Sequence, residues 1–320
     1  MDEVQKPTVV VSKCLGFAPC RYNGAIIGND FVRQMQPHVN FLPVCPEVEI
    51  GLGVPRDPVR VVQLEGKNYL LQPATQADVT EKMVTFAQSY LDALPQVHGF
   101  LLKNRSPSCG IKDVKIYGRG GNVLKRDSGF FGGAVQERFP LLPVEDEGRL
   151  SNYRLREHFL TRLYALFRFS ALKAQPTMRD LVQFHAENKL LLMAYSQKEL
   201  RLLGRIVANP EKRPAQMVLA DYEAHLLRAL DKMPRLASGI NVLMHILGYF
   251  KGLSSEEKAY FLDTLQRYRL RKVPLNVPLT LVNSWLIRFG VPYLEQQTFL
   301  QPYPEELFEM SDSGKGRDLR

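Results

Sequence analysis

The chain has 320 residues, 42 Lys+Arg against 33 Asp+Glu for a net charge of +9, and four cysteines. No apolar run is long enough to cross a bilayer, and Met1-Asp2-Glu3-Val4-Gln5-Lys6 is polar and mixed in charge, which argues against a membrane span and a secretory segment. A reducing, cytoplasmic setting is therefore expected, where clustered cysteines serve metals or redox chemistry more often than structural disulfides.

The length predicts two domains, each able to bury a core. Charge and cysteine usage divide the chain in the same way. Residues 1–148 carry 16 Lys+Arg and 16 Asp+Glu, whereas residues 149–320 carry 26 and 17. All four cysteines fall within the first 109 residues. The basic excess thus belongs to the second half and points to a polyanionic partner, because neutralised phosphates release counterions. The alternative reading of the same excess is a basic surface that serves solubility alone.

In chain order, Thr8 to Val11 and Phe41 to Val44 read as short buried strands. Val59 to Leu64 and Tyr69 to Gln72 read as a hairpin around Glu65-Gly66-Lys67. Asp78 to Leu94 shows helical spacing through Val79, Met83, Phe86, Tyr90 and Leu94, with Thr80 as a candidate cap. Gly99 to Leu102 is a further strand, followed by a glycine-rich stretch, Gly118 to Gly133, that lacks the Gly-x-x-x-x-Gly-Lys-Ser/Thr spacing of a phosphate loop. This order predicts an α/β first domain, residues 1–148, with a small, mostly parallel sheet and flanking helices. From Ser151 the pattern turns helical over 155–174, 178–195, 197–207, 215–233, 240–251, 256–272 and 279–289, which predicts an all-α helical bundle over 149–320. His245 reads as a core histidine, and the polar tail from Ser311 as a fraying end.

Three cysteines stand in short Pro/Gly-punctuated motifs, Ser12-Lys13-Cys14-Leu15-Gly16, Pro43-Val44-Cys45-Pro46-Glu47 and Ser106-Pro107-Ser108-Cys109-Gly110. Each follows a short apolar run, so each thiol is expected just past a strand end, where loops converge on one edge of a sheet. No C-x-x-C knuckle of structural zinc is present, and widely separated single cysteines suit a cluster assembled by the fold. Buried unliganded thiols are the competing reading, since free cysteine is among the most buried residue types. Cys20 is the weakest of the four candidates and also reads as a packing residue or a nearby free thiol. Glu47, two residues beyond Cys45, would share its face in an extended segment and overlook a metal, or else pair with Arg56 at the surface. Ser106 and Ser108 flank Pro107, and either hydroxyl can donate near a cluster or satisfy the loop backbone.

Taken together, S-x-C-L-G, C-R-Y-N-G, V-C-P-E, G-L-G-V-P-R and S-P-S-C-G resemble the thiouracil desulfidase (TudS) family over roughly residues 7 to 148. The resemblance implies a [4Fe-4S] cluster held by three cysteines, matching Cys14, Cys45 and Cys109, with a fourth iron that takes the substrate's sulfur. It leaves Cys20 outside the ligand set. It also implies a Glu and a Ser acting beside the cluster, which map to Glu47 and Ser106. His245-Ile-Leu-Gly-Tyr-Phe-Lys251 and Tyr268-Arg-Leu-Arg-Lys-Val-Pro-Leu275 resemble the YbgA-type helical domain. The two halves together resemble the two-domain RNA 4-thiouridine desulfidases, which implies removal of sulfur from 4-thiouridine in tRNA.

Within the helical half, Arg267, Arg269, Arg271 and Lys272 surround Tyr268, a combination suited to phosphate contact with an aromatic for stacking. The chemistry expected of the resemblance is hydrolytic: iron accepts the soft thiocarbonyl sulfur, Glu47 activates water and Ser106 relays a proton. No electron donor, membrane or protein partner is called for. Three other functions fit the same motifs. These are a cluster-dependent tRNA thiolase, a desulfidase of free thiouracil, and a non-catalytic RNA-binding protein with a structural cluster that Cys20 completes.

Overall fold

A computed structural model describes residues 5–308; the polar tail from Ser311 and the first four residues lie outside the described residues. The first part runs β1 (Thr8–Ser12), α1 (Asp30–Met35), β2 (Asn40–Val44), α2 (Pro46–Glu49), β3 (Arg60–Leu64), β4 (Lys67–Gln72) and β5 (Ala77–Asp78). It continues through α3 (Thr80–Asp92), β6 (Gly99–Leu102), β7 (Val114–Tyr117), β8 (Val123–Asp127), α4 (Phe130–Arg138) and β9 (Val144–Asp146).

Two sheets form. The first has the order β2-β1-β6-β9, and all of its pairings are parallel. Its central strands are buried along nearly their whole length, Val9, Val10 and Val11 in β1 and all of β6, as continuous apolar strands in a parallel sheet must be. β6 lies so close to its neighbours that a Cβ at Gly99 would meet the Pro143 carbonyl oxygen at 2.9 Å. The second sheet has the order β5-β4-β3-β7-β8 and is mixed, with β3 parallel to β7 and the other pairs antiparallel. The expected β3–β4 hairpin is present. Glu65 and Gly66 both have positive φ, 50° and 81°, the combination a tight two-residue hairpin turn requires. The β7–β8 pair and the joining of both hairpins into one sheet are findings beyond the predicted strands.

Below both sheets Val10, Phe100, Val61, Leu70 and Ile116 share one apolar core with Met83 and Ala87 of α3 and Phe131 and Val135 of α4. Thr80 does not cap α3. Its hydroxyl accepts instead from Leu70 N–H at 2.8 Å, tying the helix start to the sheet.

The helical part comprises α5 (Tyr153–Ala171), α6 (Met178–Glu187), α7 (Lys189–Tyr195), α8 (Gln197–Ala208), α9 (Ala215–Leu230), α10 (Leu236–Leu247), α11 (Ser255–Arg269), α12 (Asn276–Phe289) and α13 (Pro292–Glu295). Side chains that accept from the first-turn N–H groups set several of the starts: Thr177 for α6, Ser196 for α8, and for α11 a reciprocal Ser254–Glu257 capping box. The single helix expected over 178–195 is two helices, because the chain departs from helical geometry at Asn188, whose side chain donates back to the Phe184 carbonyl at 2.8 Å. His245 is exposed on α10 and meets Tyr249 edge to face, so it is not a core residue. The core of this part is aromatic, with Phe169, Phe184 and Tyr222 in mutual contact.

By compactness the described chain separates into two units. One holds residues up to Phe167 together with 304–308, and the other holds Arg168–Tyr303; the division falls inside α5. Among the described residues no helix is long and apolar enough to cross a membrane.

Candidate functional site

The parallel sheet delivers three cysteines to one edge. β1, β2 and β6 run in the same direction, so their C-terminal ends lie side by side. Cys14 stands two residues beyond β1, Cys45 immediately after β2, and Cys109 in the loop that leaves β6. The ladder continues past the strand ends, with Lys13 N–H donating to the Val44 carbonyl at 2.8 Å and Lys103 N–H donating to Ser12 Oγ at 2.8 Å. At Cys14 the chain then folds into a tight turn that passes through Gly16 at φ +92° and returns Ile27 N–H to the Cys14 carbonyl at 2.8 Å.

None of the four cysteines is in a disulfide. Cys109 and Cys20 are buried, and Cys14 and Cys45 half-buried. They neighbour one another closely enough to interact: the Cys45 thiol donates to the Cys20 carbonyl at 3.7 Å. Burial pushes the Cys14 thiol up to about 11, and the Cys45 sulfur adds to the effect, while Lys103 and Arg21 pull the other way. Burial also pushes Cys20 up to about 12, with Cys45 and Cys14 adding and Arg56 opposing. Cys109 lies well above the ordinary thiol range, through burial and then through Cys14, Cys45 and Glu47, while a hydrogen bond with Ser12 opposes this. Buried thiols this close cannot all ionise without a compensating cation. A metal centre supplies that compensation and converts such thiols to thiolate ligands.

The donor set therefore has the chemistry of a soft metal site. Among the described residues no three His, Cys, Asp or Glu side chains gather tightly enough to hold a single metal ion.

Glu47 sits beside the cysteines, but not for the reason its spacing suggested. The segment after Cys45 is the short helix α2, not extended backbone, and Glu47 lies in its first turn. Arg56 donates from Nε at 2.9 Å and from Nη2 at 2.6 Å, both to Glu47 Oε2, and the side chains of Arg56 and Glu47 are 4% and 12% exposed. Arg56 Nη1 also donates to the Cys20 carbonyl at 3.1 Å and to the Gly53 carbonyl at 2.8 Å, which ties the guanidinium to the cysteine loop. Oε1 accepts from the Ser108 hydroxyl at 2.9 Å. Glu47 is thus both the Arg56 partner and a neighbour of the sulfur site.

Of the two serines, Ser108 is fully buried and reaches Glu47. Ser106 Oγ accepts from the backbone N–H groups of Ser108 at 3.3 Å and Cys109 at 3.1 Å, which shapes the loop and leaves its own O–H able to donate. The glycine-rich stretch supports the same loop from behind. At the start of α4, Gly129 N–H donates to the Gly110 carbonyl at 2.7 Å, Phe130 N–H to Pro107 at 3.1 Å and Gly132 N–H to Ser108 at 2.9 Å. These are helix-start donors that would otherwise be unpaired, and the cysteine loop satisfies them.

Sequence reasoning missed several neighbours of the thiols. Lys103, directly after β6, pairs with Glu147, directly after β9, and Glu147 Oε2 accepts from Asn104 N–H at 2.8 Å. Both charges act on Cys14. Their signal was available in principle, since each follows a strand as the cysteines do. Their pairing was not, because it joins residues 44 positions apart.

The basic patch of the helical unit separates into two groups. Arg267 Nε pairs with Asp263 at 2.9 Å, and its guanidinium lies 5.7 Å from the Tyr260 ring. Tyr268 is half-buried against α10, where a Cβ at Gly239 would lie 3.4 Å from its hydroxyl. Arg269, Arg271 and Lys272 are exposed.

Two family models match separate segments of the chain. Residues 9–147 match the model of the family described as 2-thiouracil desulfurase, and residues 189–304 match one described as a protein of unknown function, DUF1722. The chain is 31% identical over 109 residues to the uncharacterized protein YbbK of Bacillus subtilis (strain 168), covering 32% of this chain and 72% of YbbK. It is 27% identical over 154 residues to the uncharacterized protein YbgA of Escherichia coli (strain K12), covering 47% of this chain and 91% of YbgA. Among solved structures it is similar to a [4Fe-4S]-dependent thiouracil desulfidase, TudS, at 29% identity over 45% of this chain and 93% of that one, with a TM-score of 0.36. Through residues 9–147 the chain belongs to the 2-thiouracil desulfurase family, and a DUF1722 region follows.

Proposed function

We propose that this chain hydrolyses the carbon–sulfur bond of a thiocarbonyl pyrimidine, 4-thiouridine in tRNA, yielding uridine and hydrosulfide. The observation that carries the reading is the meeting of Cys14, Cys45 and Cys109 with a carboxylate, Glu47, that Arg56 and Ser108 hold in place. The three thiols would hold a [4Fe-4S] cluster. When bound, that group supplies a soft acceptor for thiocarbonyl sulfur.

The reaction balances without a redox partner: water adds its oxygen at C4, the C4–S bond breaks, and the two protons of water leave with sulfur as hydrosulfide and a free proton. Glu47 would take a proton from the attacking water. Arg56 fixes that carboxylate through Oε2, leaving Oε1 to exchange a proton through the Ser108 hydroxyl. Ser106, whose O–H is free to donate, is the residue for a hydrogen bond to the base. Lys103 and Arg21 offset negative charge around Cys14. In the helical unit Arg269, Arg271 and Lys272 are exposed for phosphate contact, and extrusion of the base from folded tRNA would precede the chemistry.

The test is anaerobic incubation of the iron-reconstituted protein with bulk tRNA, followed by nucleoside analysis and sulfide assay. Loss of 4-thiouridine with matching sulfide supports the reading, and persistence of 4-thiouridine overturns it. A gain of sulfur that depends on ATP would mark a thiolase instead. The family description favours a second reading, desulfidation of the free base. Competition separates the two: intact tRNA suppresses turnover of free thiouracil only if both use one site.

A further inference from the structure

The mixed sheet has two faces, and only one belongs to the core. Val61 of β3, Leu70 of β4, and Val114 and Ile116 of β7 point inward. Alternation along the strands places Arg60, Val62 and Leu64, Lys67, Tyr69 and Leu71, and Lys115 and Tyr117 on the opposite face, and none of these belongs to the core cluster.

The register orders these side chains into rows. Val62 pairs with Tyr69 on one side and with Tyr117 on the other, so the two tyrosines flank β3 at one level. Two strand spacings separate them, about 10 Å, which gives each ring room for its own partner. One level along, Arg60 pairs with Leu71 and Lys115 with Arg126, and the Arg60 guanidinium lies 5.2 Å from the Tyr117 ring. Arg60, Lys67, Lys115 and Arg126 are all exposed, and both tyrosines are half-buried. A carboxylate on this face is Asp78, opposite Leu71 at the β5 edge, and its Oδ1 accepts from Thr80 N–H at 2.9 Å. Asp127 lies on the other face, where Lys125 neutralises it at 2.8 Å.

This half of the sequence has no net charge, so four cations around two aromatic rings on one sheet face are a local segregation. We infer that the face formed by Tyr69, Tyr117, Arg60, Lys67, Lys115 and Arg126 binds a single-stranded segment of RNA, with bases stacked on the two tyrosines and phosphates against the cations. Aromatic rings on a sheet face outside the core offer any base a π-face, at Tyr117 the one that the Arg60 guanidinium leaves uncovered, and neighbouring cations follow the backbone. A folded protein partner of acidic character would meet the charges but leave the paired rings without purpose. The inference deepens the reading above, in which the substrate base is part of an RNA, and adds an RNA contact to the unit that carries the cysteines.

The test uses the full chain and a fluorescently labelled, sulfur-free oligouridylate, with affinity read by anisotropy. Tyr69→Ala and Tyr117→Ala are each expected to weaken binding about tenfold, with Tyr69→Phe close to wild type. Lys115→Ala with Arg126→Ala is expected to lower the slope of log affinity against log salt by about 0.7 for each cation removed. Circular dichroism melts verify that the variants fold, and ultraviolet cross-linking to the oligouridylate should mark the peptides that contain Tyr69 and Tyr117. Wild-type affinity in the folded Tyr69→Ala/Tyr117→Ala variant overturns the inference, as does duplex RNA that binds as tightly as the single strand. Loss of 4-thiouridine from bulk tRNA is assayed in parallel. If the wild type leaves the 4-thiouridine intact, the desulfidase reading fails while the oligouridylate result still decides this one.

Discussion

The Ser108 hydroxyl donates to Glu47 Oε1 across 2.9 Å, joining residues 61 positions apart in the chain. With Oε2 occupied twice by Arg56, the carboxylate has one orientation and one oxygen through which a proton can pass. Glu47→Gln keeps the shape and the serine contact but removes the base. Turnover is expected to fall about 10²- to 10⁴-fold, with iron content unchanged on metal analysis. Undiminished single-turnover rates would remove Glu47 from the chemistry.

The two serines should separate in the laboratory. Ser108→Ala is expected to lower kcat, about a hundredfold if the hydroxyl relays the proton, with little change in KM. Ser106→Ala strips an acceptor from two loop N–H groups and the donor proposed for the base, and is expected to cost about 1–3 kcal/mol of stability, read as a lowered urea midpoint, and to raise KM.

Arg56→Ala leaves Glu47 with a largely buried, unpaired charge. A loss of about 3–5 kcal/mol is expected by chemical denaturation, because removing one partner of a buried pair strands the other. Arg56→Lys restores the charge but not the twin contacts to Oε2, and an intermediate loss is expected.

Asp146, buried at the end of β9, has its carboxyl raised to about 6 by desolvation, although it accepts from Arg149 N–H at 2.8 Å. The folded state thus holds this proton more tightly than the unfolded chain, whose carboxyl titrates near 3.8. Stability is fully supported at low pH, declines as pH rises from about 4 to about 6, and is level above that window. Asp146→Asn should abolish the decline. The variant should melt higher than wild type at pH 8, by about 3 kcal/mol at most, with the difference vanishing towards pH 4.

In the helical unit, neutralising Arg269, Arg271 and Lys272 together should flatten the salt dependence of tRNA binding, while Arg267→Ala should chiefly lower the melting temperature. An unchanged salt slope in the triple variant would show that these exposed cations face elsewhere.

Much of this arrangement could be read from local pattern. Apolar runs ending in cysteine marked three strand ends, and helical spacing marked the second half, because both signals act over a few residues. Glu47 was reached through an extended-strand argument, whereas a short helix carries it. What escaped was non-local. The parallel join of β3 to β7, the pairing of Lys103 with Glu147, and the choice of Ser108 over Ser106 as the carboxylate's partner each depend on which distant segments meet. The break at Asn188 escaped for the opposite reason: apolar spacing continues through it, and only a side-chain bond to the backbone announces the corner.

At Gly129, a methyl group would stand 2.5 Å from the Pro107 carbonyl oxygen and 2.6 Å from that of Ser108, and at Gly132 one would lie 2.6 Å from the Cys109 oxygen. Neither glycine has any reactive atom. Yet a saturation screen scored on sulfide production should find both positions as intolerant as the thiols themselves. Such a screen would outline a mould as well as a chemistry, and the mould is made of bare peptide.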